Sequence, residues 1–206
     1  RTRCQNRNDK MALNTKDELD CFLYIQPLLS KEECGDIGVF VEYENKLFVA
    51  LIDVLGHGAE AYEVAVRAKY FLERHYREDL TEMIKGLHLF LKGSRGLAGN
   101  LSRLNLDTGD FEYTGIGNVE AKIVGADKMT FTNRDGIVGH RMPSPKIEKV
   151  KMCKGDVLYM STDGIKECIA LEEHFHLKTD TAEFITEKMV KQFGKQDDKA
   201  CLIVKY

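Results

Sequence analysis

The sequence predicts an α+β protein in which helices cover antiparallel sheets. Three observations carry that expectation: strand-like runs dominate the chain, helical patterns fall in two blocks instead of alternating with the strands, and tight turn sequences join neighbouring runs. With 206 residues, of which 43% are hydrophobic, the chain can fill one core, and a single domain over residues 1–206 is expected.

The elements follow in order. "CFLYIQPL" (21–28), "IGVFVEY" (37–43) and "KLFVALID" (46–53) read as strands, with "YEN" as the hairpin connection between the second and third. Over residues 58–78, Ala61, Val64, Ala65, Ala68, Phe71 and Leu72 recur at helical steps, and residues 81–92 repeat the pattern, so two amphipathic helices are expected. "GNLSRLNLD", "DFEYTGIG", "VEAKIVGA" and "KMTFTNRD" then form a meander, punctuated by Asp-Thr-Gly-Asp, Gly-Asn and Gly-Ala-Asp turns. A Pro-containing loop (139–146) leads to the strands "IEKVKMC" and "DVLYMSTD" (156–163). A short helix is expected from Gly164, a longer one from Thr181 to Gln192, and a last strand in "ACLIVKY". No repeat, low-complexity segment or linker interrupts this order. Residues 1–10, polar and basic, are expected to be a flexible or trimmed start.

Charge and composition exclude several partners. The net charge is −3 with both signs mixed along the chain, so neither nucleic acid nor an anionic membrane surface is expected to bind. No apolar run reaches the roughly 18 residues of a membrane span and no signal peptide is visible, which predicts a cytoplasmic protein. The six cysteines, Cys4, Cys21, Cys34, Cys153, Cys168 and Cys201, are widely spaced with no C-x-x-C pair, as expected of reduced thiols.

The chemistry is concentrated in aspartates at strand ends. "LFVALID" ends in Asp53, "VLYMSTD" ends in Asp163, and "DDKACLIV" places Asp197 and Asp198 just before a buried run. Asp36 opens the strand expected to pair with the one that ends in Asp53. If these strands lie side by side, four or five carboxylates share one patch. Two carboxylates about 4 Å apart repel by roughly 4 kcal/mol at an effective dielectric near 20. Three such pairs cost on the order of 12 kcal/mol, which rivals the roughly 5–15 kcal/mol that holds a domain together. Cations are the simplest neutralising partner. Ligands that are all oxygen favour hard ions, magnesium or manganese, over zinc or copper. Gly56, Gly58 and Gly164 permit turns that bring backbone close to an ion or phosphate.

Other motifs carry less. "GHGAEA" satisfies G-x-G-x-x-A, but a dinucleotide site there would set Asp53 against the pyrophosphate. His174 and His176 in "EEHFHL" read as surface side chains. Neither a G-x-S-x-G elbow nor a glycine loop ending in G-K-[ST] is present.

Four stretches, "GD" (35–36), "LIDVLGHGAEA" (51–61), "KGDVLYMSTDGIKE" (154–167) and "DDKACLIV" (197–204), resemble the motifs of the metal-dependent Ser/Thr protein phosphatases (PPM), SpoIIE-like branch. With "YTGIGNVEAKIV" in the meander, the chain looks most like the stand-alone RsbX-type phosphatases. The resemblance implies an αββα sandwich of two antiparallel sheets flanked by helices, with two Mn2+ or Mg2+ ions at one end. It implies that Asp53 bridges both ions, Asp163 and Asp197 complete the first site, and Asp36 with the carbonyl of Val54 holds the second. Asp198 would stand beside the ions, and His57, whose spacing differs from the family's, takes no role. The implied reaction is attack of a metal-bridging hydroxide on phosphoserine or phosphothreonine of stressosome STAS-domain proteins. Alternatives are action on a phosphorylated anti-sigma-factor antagonist and a catalytically inert binding module of the same fold.

Overall fold

The computed structural model describes residues 10–14, 19–28 and 33–206, with backbone alone at 10–14. Its strands are β1 (Lys10–Asn14), β2 (Asp20–Gln26), β3 (Asp36–Tyr43), β4 (Lys46–Val54), β5 (Leu97–Asn105), β6 (Asp110–Ile116), β7 (Glu120–Val124), β8 (Met129–Thr130), β9 (Glu148–Lys151), β10 (Val157–Ser161) and β11 (Lys199–Lys205). The helices are α1 (Ala59–His75), α2 (Leu80–Phe90), α3 (Leu171–His174) and α4 (Ala182–Phe193). One sheet has the order β1-β2-β11-β10-β7-β8 and the other β3-β4-β5-β6-β9, and every pairing in both ladders is antiparallel.

Period-two alternation sorts each strand's side chains into two layers. On β4, Leu47, Val49 and Leu51 pack between the sheets with Leu23, Leu158, Met160, Leu202 and Val204 of the opposite sheet. The intervening Phe48, Ala50, Ile52 and Val54 face Ala61, Ala65, Ala68, Leu72, Met83 and Leu87 of α1 and α2. On the other sheet, Tyr159, Cys201 and Ile203 pack under Leu171 of α3 and Ile185 and Met189 of α4. Three apolar layers therefore separate four structural layers, helix, sheet, sheet and helix. This is the predicted α+β sandwich.

Local sequence explains the boundaries. Glu44 and Asn45 adopt φ of 46° and 57°, the left-handed pair that a two-residue hairpin requires, as "YEN" predicts. Asp79 caps α2 by accepting from Thr81 N at 2.8 Å, and Thr181 Oγ caps α4 by accepting from Phe184 N at 3.2 Å.

Three expectations need correction. Strand β1 was not expected, and it adds an outer strand beside β2; residues 1–9 lie outside the described residues. The run "KMTFTNRD" holds only a two-residue strand, β8, because Phe131 turns back into the core between the sheets. No helix begins at Gly164. Lys166 N donates to Phe193 O at 2.9 Å and Gly164 O accepts from Lys195 N at 2.7 Å, so after a turn at Asp163 and Gly164 the chain bridges at Ile165 to Gly194. Gly164 serves close approach: a Cβ there would lie 1.9 Å from the Asp198 carbonyl oxygen. Helix α3 starts seven residues later, at Leu171.

Candidate active site at the acidic end of the sandwich

Antiparallel pairing sets Asp36 directly opposite Asp53 on adjacent strands. Opposed residues share a face, and for this pair it is the inner one, so the apolar series Leu47, Val49, Leu51 ends in a carboxylate that points between the sheets. The facing sheet brings β10 and β11 side by side, with Asp163 two residues past one and Asp197 and Asp198 just before the other. The acids thus meet across the gap between two sheets. The strands ending in Asp53 and Asp163 are not neighbours in one sheet, as side-by-side strands would have placed them.

All five aspartates line one cavity of about 220 Å³, with Val54, Leu55, Gly56, His57, Ala98 and Asn118. Among the described residues, no lysine or arginine lines it. His57 is exposed at its rim.

Each carboxylate is held differently. Thr162 Oγ1 donates to Asp36 Oδ2 at 2.6 Å and accepts from Ala200 N at 2.8 Å. Asn118 Nδ2 donates to Asp163 Oδ2 at 2.7 Å, and Asp197 Oδ1 accepts from Asp198 N at 2.9 Å. Asp198 accepts from Leu28 N and from Gly35 N, both at 2.7 Å, which satisfies it with two backbone amides. Burial first, then the Asp53 charge, pushes the Asp36 carboxyl well above the usual range, against the lowering bond from Thr162. Asp53 is pushed up to about 7 by burial, then by the charges of Asp163 and Asp197. A buried carboxyl with acids around it and, among the described residues, no lysine or arginine beside it is the electrostatic vacancy that a cation fills.

Among the described residues, no three His, Cys, Asp or Glu side chains are drawn around one point as a finished metal cage would be. The carboxylates share the cavity while their oxygens are engaged with Thr162, Asn118 and backbone amides. The donor set nevertheless fits a hard divalent ion: it is all oxygen, densely anionic and otherwise uncompensated. His174 and His176 stand exposed outside this cavity, with His174 packed on Phe193 at 5.0 Å, as the sequence predicts. Among the described residues, Cys21, Cys153, Cys168 and Cys201 are free thiols, also as predicted.

Sequence reasoning missed Thr162 and Asn118. Thr162 was hidden inside "STD" beside a more conspicuous acid, and Asn118 sits in a Gly-Asn turn that reads as mere punctuation. Strand alternation offers a signal for Thr162, a hydroxyl on the inward face at the end of a buried strand.

Two facing antiparallel sheets between helices, with an acidic cavity at one end, define a Ser/Thr protein phosphatase of the PP2C type. The chain belongs to the SpoIIE family: the family model described as Stage II sporulation protein E matches residues 43–206. It is similar to the phosphoserine phosphatase RsbX of Bacillus subtilis (strain 168), with 26% identity over 138 residues, covering 66% of this chain and 69% of that protein. A solved structure described as the bacterial stressosome, a modular system adapted to control secondary messenger signaling, has 28% identity and a TM-score of 0.83. It is matched over 91% of this chain and 99% of its own. A crystal structure of RsbX in complex with magnesium shares the fold at a TM-score of 0.78 and 20% identity, covering 99% and 98% of the two chains. Among the described residues, no helix is long and apolar enough to cross a membrane.

Proposed function

We propose that this chain hydrolyses phosphoserine and phosphothreonine esters on a regulatory partner protein. In this reading Asp36, Asp53, Asp163, Asp197 and the carbonyl of Val54 hold two manganese or magnesium ions. One observation carries the reading: acids from four separate stretches of sequence line a single cavity that, among the described residues, no lysine or arginine lines.

Bound there, divalent ions would supply a water acidic enough to act as nucleophile near neutral pH, and positive charge for the phosphoryl oxygens. The chain's own residues set the stage. Asp53 projects from the centre of the cluster, near Asp36 on its own sheet and near Asp163 and Asp197 on the other, which suits it to bridge two ions. Thr162 fixes the rotamer of Asp36, and Asn118 fixes that of Asp163. Asp198 ties the ends of the segment before β3 to the start of β11. It accepts from two amides and is assigned no ion.

Phosphorylated STAS-domain proteins of the stressosome are the proposed substrates. The similarity to RsbX and to the stressosome structure supports that choice. The free thiols of Cys21, Cys153, Cys168 and Cys201 suit a reducing cytoplasm, where we place the activity, with residues 1–206 acting as one catalytic unit. The test is phosphate release from a phosphoserine peptide and from phosphorylated STAS protein, followed by mass. Turnover with manganese that EDTA abolishes is expected, and turnover that survives EDTA refutes the metal assignment.

A further inference from the structure

The geometry points to a docking trough beside the acidic cavity, formed by the loop between β8 and β9. It receives an acidic, partly apolar segment of the phosphorylated partner, about four residues from the phosphoserine. This deepens the phosphatase reading and rests on it.

Position comes from the ladder. At the acidic end, Asp53 lies opposite Ala98, which itself lines the cavity, and Gly99 of the same strand lies opposite Ile116. Gly117 N donates to Arg134 O at 3.0 Å, and Arg134 N donates to Gly115 O at 3.1 Å, so Arg134 occupies the next strand position outward. A Cβ on Gly136 would meet Pro143 Cδ at 2.5 Å and Ile116 Cγ2 at 3.4 Å, which presses the rest of the loop against the same edge. Three strand spacings of about 4.8 Å set this loop about 14 Å from Asp53. An extended peptide covers that distance in about four residues, at roughly 3.4 Å each.

Chemistry comes from the lining. The trough, of about 500 Å³, is bounded by Asp135, Gly136, Arg141, Met142 and Pro143. Arg134 and Arg141 are exposed. Among the described residues, neither guanidinium appears in any ion pair or side-chain hydrogen bond, whereas the nearby Lys146 and Lys149 are paired with Glu148 and Glu112. A free guanidinium keeps its planar fork of donors for a carboxylate. Inside the trough Asp135 offsets one of these charges, and Arg134, next to Asp135 in the chain, adds a second exposed guanidinium at its edge. Met142 and Pro143 supply an apolar floor. The chain's overall charge of −3 makes this a local feature suited to a protein segment, not to a nucleic acid.

The experiment uses two fluorescein-labelled phosphoserine peptides, identical except for glutamates or lysines at the third and fourth positions on either side of the phosphoserine. Manganese-loaded protein is assayed for hydrolysis and, by anisotropy, for capture. In Arg141→Glu and Arg134→Glu, the KM for the glutamate peptide is expected to rise about fivefold, with kcat and turnover of p-nitrophenyl phosphate unchanged. In Asp135→Asn it is expected to fall. A glutamate-to-lysine preference that is the same in all three variants overturns the trough. Absence of hydrolysis by the unaltered chain would overturn the phosphatase reading instead, because capture of the labelled peptide is read without turnover.

Discussion

The two ends of the sandwich treat negative charge in opposite ways. At the end away from the cavity, turn acids and amides find each other: Asn45 Nδ2 donates to Asp107 Oδ2 at 3.0 Å, and Asn105 Oδ1 accepts from the amides of Asp107 and Thr108. Thr108 Oγ1 donates to Asp110 at 2.7 Å, and the Tyr206 hydroxyl donates to Leu106 O at 2.9 Å. At the cavity end, five aspartates gather, and the two that face each other on β3 and β4 are both pushed toward the neutral form. The same sheets thus carry a self-satisfied end that stabilises and an unsatisfied end that is ready to bind. Natural proteins concentrate such violations at functional sites and offset them elsewhere.

Four changes break or sharpen this contrast. The largest effect belongs to Asp53→Asn, which is expected to cut phosphate release on the order of a thousandfold. The same change should raise the melting temperature of the EDTA-treated protein, since it removes a charge that burial and three acids oppose; calorimetry at pH 8 reads this directly. Next comes pH. Asp53 has a folded pKa of about 7 against an ordinary value of 3.8, so the folded state holds its proton longer. Stability is therefore present at low pH and is lost as pH rises through about 7, by on the order of 4 kcal/mol from this group. Melting curves of EDTA-treated protein should fall as pH rises from about 4 through about 7, and manganese should flatten that fall. A curve indifferent to both pH and manganese would contradict the charge-vacant site.

Asp198→Ala should act in the opposite direction to Asp53→Asn although the two acids line one cavity. It strands the amides of Leu28 and Gly35, and a loss of about 2 kcal/mol is expected in urea unfolding after relief of repulsion is counted. The smallest effect lies at the far end: Asn105→Ala should cost about 1 kcal/mol and leave kcat unchanged.

Legibility in the sequence follows the same division. Alternating apolar runs and the "YEN" turn revealed β3 and β4 because each rests on a local rule that packing reinforces. The acids at 36, 53, 163, 197 and 198 were visible as strand-end residues, since a carboxylate closing a buried run violates the local pattern. Which sheet each belonged to was not visible, because sheet membership depends on long-range pairing. The helix expected at Gly164 failed for a related reason: residues 193–195, distant in sequence, take up its backbone hydrogen bonds. Strand β1 escaped notice because its alternation is short and its neighbours are polar. Asp198 and Asp53 looked alike in the sequence, and only their partners distinguish them.

The hairpin turn at Glu44 and Asn45 governs a place it never touches. From that turn the strands run eight pairs to Asp36 and Asp53, a span of about 26 Å. Because side chains alternate faces, sliding one strand by a single residue would send one carboxylate outward into the helix layer and strip the cavity of a donor. The geometry of the acidic end is therefore clocked by two left-handed residues at the opposite tip, and a register slip started there would scatter the cluster with every aspartate still in the chain.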